Sequence, residues 1–231
     1  MSNRDLSGAV VAVVGASGGL GAPIARALSR RGAQLVLAGP HPDKLAGLGI
    51  AGAEVVALDL RDASAGDRLV AAATARFGRL DGLVNAAGIV AFGALEALDD
   101  VAIEELFLTN VVGHLWLLRR VIPLLRDSKG FVVHLSAVVA EQPLADMAAY
   151  SATKAALTAA DAALARELRR SGIQVVDARP PHTETGLASR PIAGQAPRLA
   201  EGLAPHVVAE RIVVAIEQNE REIPSSAFGQ P

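Results

Sequence analysis

The chain alternates short runs of β-branched and aliphatic residues with longer stretches in which apolar residues return every third or fourth position. The short runs cover 9–14, 34–38, 54–58, 81–85, 131–136 and 173–178, with a brief last one at 222–225. Helical spacing covers 20–31, 42–48, 63–77, 99–125, 148–171 and 206–219. Gly15, Gly39-Pro40, Gly78 and Gly172 punctuate the boundaries, as residues that end regular structure do. The strand runs are apolar throughout instead of alternating with polar residues, the pattern of strands covered on both faces. Strands of this kind separated by helices predict an α/β fold, a doubly wound parallel sheet of Rossmann type. With no repeat and no linker, residues 1–231 read as a single domain, carrying a loop around 186–205 rich in Gly, Pro and Arg.

Two helices predict self-association. Segment 99–125 places apolar residues on nearly every side, among them Leu106, Phe107, Leu108, Val111, Val112, Leu115, Trp116, Leu117 and Leu118. A helix apolar all round is buried all round, and one sheet covers one face only. Segment 148–171 is crowded with alanine, which permits close helix packing. A homodimer or homotetramer through helices 99–125 and 148–171 is expected.

Composition excludes several functions. Lys and Arg number 22 against 24 Asp and Glu, so no basic excess draws nucleic acid or an anionic membrane surface. There is no cysteine, which removes disulfides, thiolate metal sites and thiol nucleophiles and fits a reducing compartment. The first apolar run is too short for a signal peptide and stops at Gly15; no apolar run approaches the ~20 residues of a membrane span. A cytoplasmic protein with no membrane or nucleic-acid partner is the expectation. None of His41, His114, His134, His182 and His206 has metal-ligand spacing, and no metal is expected. No G-x-S-x-G elbow and no Walker lysine occur.

What remains is chemistry at two places. The first apolar run ends in Gly15-Ala16-Ser17-Gly18-Gly19-Leu20-Gly21 before a helix. Glycines there permit a tight turn and close approach to a pyrophosphate, which a helix N-terminus attracts. The run after the second strand, Leu37 to His41, has neither the acid that binds a ribose 2′-hydroxyl nor an Arg for a 2′-phosphate. His41, Lys44 and Arg61 are the cations near enough to tip the balance toward NADP(H) over NAD(H). The second place is Tyr150-x-x-x-Lys154, which puts a phenol and an ammonium on one helical face. A neighbouring cation lowers a phenol's pKa and equips it for proton transfer.

In order along the chain stand Gly15-x-x-x-Gly19-x-Gly21, Asp59, Asn85-Ala86-Ala87-Gly88, Asn110, Ser136, Tyr150-x-x-x-Lys154, Pro180 and Thr185. This succession resembles the short-chain dehydrogenase/reductase family, in its compact branch, from about residue 6 to 185. The resemblance implies a hydride transfer between a nicotinamide cofactor and a carbonyl or alcohol substrate. It implies Tyr150 as acid/base, Lys154 and Asn110 in the proton relay, and Ser136 as a substrate-oxygen donor. The cofactor set it implies is Gly15, Ser17, Gly19, Leu20, Gly21, Asp59, Leu60, Asn85, Ala86, Gly88, Pro180 and Thr185, together with Tyr150 and Lys154. It places a mobile substrate lid at 188–205, where Arg190 and Arg198 either favour an acidic substrate or are solvated loop charges.

The departures are as informative. The family serine sits thirteen residues before the tyrosine, and that position is Ala137; Ser136 lies one residue earlier. A one-residue slip on a strand turns a side chain to the other face unless the strand end bends. Ala86 and Pro181 also replace family residues. A catalytically weak or inactive NADP(H)-binding regulator is therefore the alternative. A nucleotide-sugar epimerase, which shares Tyr-x-x-x-Lys, needs a larger C-terminal domain than the 46 residues after Thr185 supply.

Overall fold

The computed structural model describes residues 3–229. Its strands are β1 (Val10–Val14), β2 (Gln34–Gly39), β3 (Glu54–Ala57), β4 (Gly82–Asn85), β5 (Phe131–Leu135), β6 (Gln174–Ala178) and β7 (Glu222–Ile223). Its helices are α1 (Gly21–Arg30), α2 (Pro42–Ala46), α3 (Ala65–Phe77), α4 (Asp100–Phe107), α5 (Gly113–Ser128), α6 (Ala148–Glu167) and α7 (Pro205–Glu217). Every strand pairing is parallel, in the order β3-β2-β1-β4-β5-β6-β7. This is the doubly wound sheet the apolar runs predict. The expected domain limits, 1 and 231, lie outside the described residues.

Alternation along each strand builds two cores. Val11 and Val13 pack with Ile24, Leu28, Ile212 and Val213 on the α1/α7 side. Val10, Ala12 and Val14 pack with Leu69, Leu117, Val121 and Leu125 on the α3/α5 side. Each strand is thus apolar on both faces, which is why its run shows no polar alternation. Local chemistry sets the helix ends: the Asp99 carboxylate accepts the Ala102 N–H at 2.7 Å at the start of α4, and Gly78 turns left-handed (φ 72°) after α3.

The helix expected over 99–125 is not continuous. A π-helical turn, Leu108–Val112, separates α4 from α5, and Asn110 sits within it. Nor is the segment buried all round: Leu106, Leu117, Leu118, Val121 and Leu125 are covered, while Val101, Phe107 and Leu115 are exposed. Asp100–Ser128 is also long and apolar enough by composition to cross a membrane, contrary to the expectation that no segment would be. Its covered face packs on the sheet, as a core helix does. Segment 148–171 becomes α6 with a 3₁₀ turn at Arg169–Ser171.

Strand order reverses at β1 and β4, so the loops after them diverge and open a crevice at the carboxyl ends of the strands.

Candidate active site

The crevice is a cavity of about 600 Å³. Its wall begins at Gly15, Ser17, Gly18, Gly19 and Leu20, extends one way to His41, Asp59, Leu60 and Arg61, and the other way to Tyr150, Lys154, Pro180 and Thr185. One continuous space therefore joins the glycine turn to the Tyr–Lys pair.

The glycine turn is built by close approach. Gly15 adopts φ +75°, and a Cβ there would stand 2.7 Å from the Ala87 nitrogen, so the turns after β1 and β4 touch. A Cβ on Gly19 would lie 2.4 Å from the Thr185 carbonyl oxygen, and one on Gly21 would lie 2.1 Å from the Gly15 oxygen. Gly21 therefore closes the turn and does not form the cavity wall, a correction to its expected role; Gly18, which was not expected, does line it. The amino end of α1 follows directly, with no side chain capping it, and its dipole suits an anion.

At the other end, α6 carries the pair. The Lys154 Nζ donates to the Leu135 carbonyl at 2.8 Å and stands 5.7 Å from the Tyr150 ring centroid. Burial pulls the Lys154 ammonium down to about 8, with Asp177 partly opposing. Burial raises the Tyr150 phenol above its ordinary value, which reverses the expectation of a cation-lowered phenol. Desolvation of the phenolate outweighs an ammonium that faces the ring and the Leu135 carbonyl, so the Tyr150 phenol is held neutral.

Asn110 has a different role from the one expected. Its Oδ1 accepts from the Ile89 N–H and its Nδ2 donates to the Ile89 carbonyl, both at 2.9 Å. The Nδ2 also donates to Thr153 Oγ1 at 3.2 Å, and that hydroxyl donates to the Tyr150 carbonyl at 2.7 Å. The amide thus straps the loop after β4 to the first turn of α6. The π turn directs it inward, a common placement at functional sites. A Cβ on Gly88 would lie 3.4 Å from both Asn110 Oδ1 and Lys154 Nζ, so the absent side chain leaves room where loop, relay and helix meet.

Other expected residues need correction. The Ser136 hydroxyl donates to the Asp177 carboxylate and, at 3.1 Å, to the Ala178 carbonyl. Ser136 borders the cavity, but its one proton is spent within the sheet and not on a substrate oxygen. Asn85 is fully buried and absent from the cavity wall, and neither polar atom of its side chain has a partner among the described residues. Ala86, Ala87 and Gly88 line the wall in its place. Asp59 lies beyond the end of β3, bound to Arg61 (2.6 Å), whose other arm reaches Glu105 (2.9 Å). Lys44 is exposed and off the cavity wall, whereas His41 is on it. The 186–205 segment is tied down: Ile192 N–H donates to the Val90 carbonyl (2.9 Å), and Phe92 N–H to that of Ala193 (3.0 Å). Arg190 lines the cavity, and Arg198 is exposed outside it.

A buried polar group behind Lys154 escaped the sequence reading. Asn85, His134 and Asp177 are cross-strand neighbours on β4, β5 and β6. His134 Nδ1 is 2.5 Å from Asp161 Oδ1 on α6, and the His114 ring on α5 stands 5.4 Å from that of His134. Burial, reinforced by His134 and Lys154, holds His114 well below the ordinary imidazole range, hence neutral. The available signal was the polar series Ser151, Lys154, Thr158 and Asp161 at spacings of three and four, which lies on one face of an otherwise alanine-rich helix.

Comparison with known proteins agrees with this geometry. The family model described as short chain dehydrogenase matches residues 9–195. An uncharacterized oxidoreductase of Staphylococcus haemolyticus is 31% identical over 219 residues, covering 93% of this chain and 93% of that protein. Among solved structures, a short-chain dehydrogenase/reductase of Burkholderia phymatum in complex with NAD has TM-score 0.86 and 25% identity, covering 96% of this chain and 90% of that one. A short chain dehydrogenase of Burkholderia cenocepacia in complex with NADP has TM-score 0.83 and 26% identity, with the same coverage of 96% and 90%. The glycine turn, the buried Tyr–Lys pair and these matches together establish that the chain belongs to the short-chain dehydrogenase/reductase family.

Proposed function

We propose that this protein is a nicotinamide-dependent reductase of carbonyl compounds, or a dehydrogenase of the corresponding alcohols, with Tyr150 as acid/base. The observation that carries the reading is the single cavity joining the glycine turn to a buried phenol–ammonium pair. The residues present fit a dinucleotide. Backbone from Ser17 to Leu20 would hold the pyrophosphate, Asp59 and Leu60 would face the adenine, and Ala86 to Gly88, Pro180 and Thr185 would border the nicotinamide. When bound, that ring gives or takes the hydride. Tyr150, held as a neutral phenol, gives its proton to the substrate oxygen in reduction. Lys154 orients the site from its anchor on Leu135, and Asn110 keeps the loop and helix in register.

We propose NADP(H) over NAD(H): no carboxylate ends β2, and His41 and Arg61 border that end of the cavity. The substrate half, with Phe92, Val138, Val139, Leu144, Met147 and Leu187, favours an apolar substrate. We propose further a cytoplasmic homodimer or homotetramer, joined through exposed Val101, Phe107 and Leu115 and the alanine face of α6. A monomeric mass by light scattering removes the oligomer, and recovery in a membrane fraction removes the location.

The test is titration with NADPH and NADH by fluorescence, then oxidation of the tighter binder against aldehydes and ketones, with Tyr150→Phe alongside. Turnover that Tyr150→Phe abolishes, at nearly unchanged cofactor affinity, is expected; equal turnover by the variant refutes the assignment. Tight binding without turnover of any carbonyl selects the regulatory reading, which the engaged Ser136 hydroxyl favours.

A further inference from the structure

We propose that His182, oriented by Glu184, is the second hydrogen-bond donor to the substrate oxygen, supplying the contact that residues 136 and 137 do not. This rests on the reductase reading and specifies how the site stabilises the reacting oxygen.

In carbonyl reduction, negative charge builds on that oxygen, and preoriented donors aimed at it lower the barrier. Tyr150 is one. At the corner after β5, Ala137 presents a methyl group, and the Ser136 hydroxyl is committed to Asp177 and Ala178. That corner lies against the segment after β6, because the Val138 N–H donates to the Pro180 carbonyl at 3.0 Å. His182 follows two residues later, on the wall of the same cavity as Tyr150.

The ring is held from one edge. Its Nε2 lies 3.3 Å from Glu184 Oε1, and that oxygen also accepts the Gly202 N–H at 2.8 Å. A Cβ on Gly202 would stand 2.7 Å from His182 Cδ2, so the glycine lets the backbone close over the same edge. Nδ1, on the opposite edge, has no hydrogen-bond partner among the described residues. The carboxylate fixes the ring's orientation through Nε2, and the imidazolium form of such a ring donates from both nitrogens. His182 lends a hydrogen bond and keeps its proton; the proton that neutralises the oxygen comes from Tyr150. Arg190, on the same wall, is turned to its own loop, its Nε donating to the Gly186 carbonyl at 2.9 Å.

The experiment compares wild type, His182→Phe, His182→Gln, Glu184→Gln and the double variant His182→Phe/Ala137→Ser in steady-state reduction of an apolar aldehyde and an aryl ketone. Cofactor affinity and thermal midpoint are measured for each. Removing one such donor is expected to lower kcat by ~10²–10³. Cofactor affinity should stay unchanged, His182→Gln should recover part of the loss, and the hydroxyl restored at 137 should recover more. Glu184→Gln should fall between wild type and His182→Phe. Wild-type turnover with a kcat for His182→Phe within threefold, or a loss confined to KM, overturns the inference and leaves the reductase reading intact. If His182→Phe does not fold, His182→Gln and Glu184→Gln decide by the same criteria. A wild type that binds NADPH but reduces neither carbonyl removes the reductase reading, and the inference with it.

Discussion

Replacing Lys154 by methionine tests how strongly the interior holds its charge. The side chain is 5% exposed, and its ammonium keeps one anchor, the Leu135 carbonyl at 2.8 Å. Burial takes it from an ordinary 10.5 to about 8, with Asp177 limiting the fall. At about 1.4 kcal/mol per pH unit, this amounts to about 3 kcal/mol. The sign follows from proton counts. Below pH 8 both folded and unfolded chains hold the lysine proton, and the folded state bears the full penalty. Between pH 8 and 10.5 the folded chain has released the proton and the unfolded chain has not, so stability rises with pH. Urea unfolding of wild type and Lys154→Met at pH 7.5, 8.5, 9.5 and 10.5 isolates the effect, because titrations common to both cancel in the difference. Wild type should gain about 3 kcal/mol on the variant across that range. Parallel curves would mean that the ammonium is solvated and the buried position is wrong.

Further expectations concern packing and the cavity. A Cβ on Gly82 would lie 2.1 Å from the fully buried Phe131 ring on the next strand, so Gly82→Ala should cost about 1–3 kcal/mol by denaturant unfolding. An unchanged midpoint would mean that the ring moves aside freely. Gly19→Ala should drive the Thr185 corner away and weaken NADPH binding at least about tenfold by fluorescence titration, since the new methyl would start 2.4 Å from the Thr185 carbonyl. Wild-type affinity in that variant would separate the corner from the cofactor. Asp161→Ala removes one partner of a buried hydrogen bond to His134 and should cost about 1–3 kcal/mol in urea; an unchanged midpoint would show that His134 finds another partner.

Several errors of the sequence reading share one cause. Ser136, Asn85 and Asn110 were assigned to the site by their place in a succession of motifs, and each side chain is spent or enclosed in the interior. Order along the chain says which loop a residue occupies, not where its hydroxyl or amide points. The phenol of Tyr150 was expected to be lowered by Lys154, because i,i+4 spacing brings two residues to one face. That spacing is silent on burial, and burial decides the direction.

By itself the sequence determined the doubly wound sheet, the positions of its strands to within a few residues, the glycine turn and the Tyr–Lys pair. These follow from periodicity and short-range spacing, which depend on a residue and its near neighbours. Only the tertiary structure decided the π turn that directs Asn110 inward, the His114–His134–Asp161 group behind Lys154, and the approach of His182 to the cavity. Each depends on residues from different elements meeting through strand register and helix packing, and a side chain's partner across a sheet or a helix interface leaves no periodic mark in the chain.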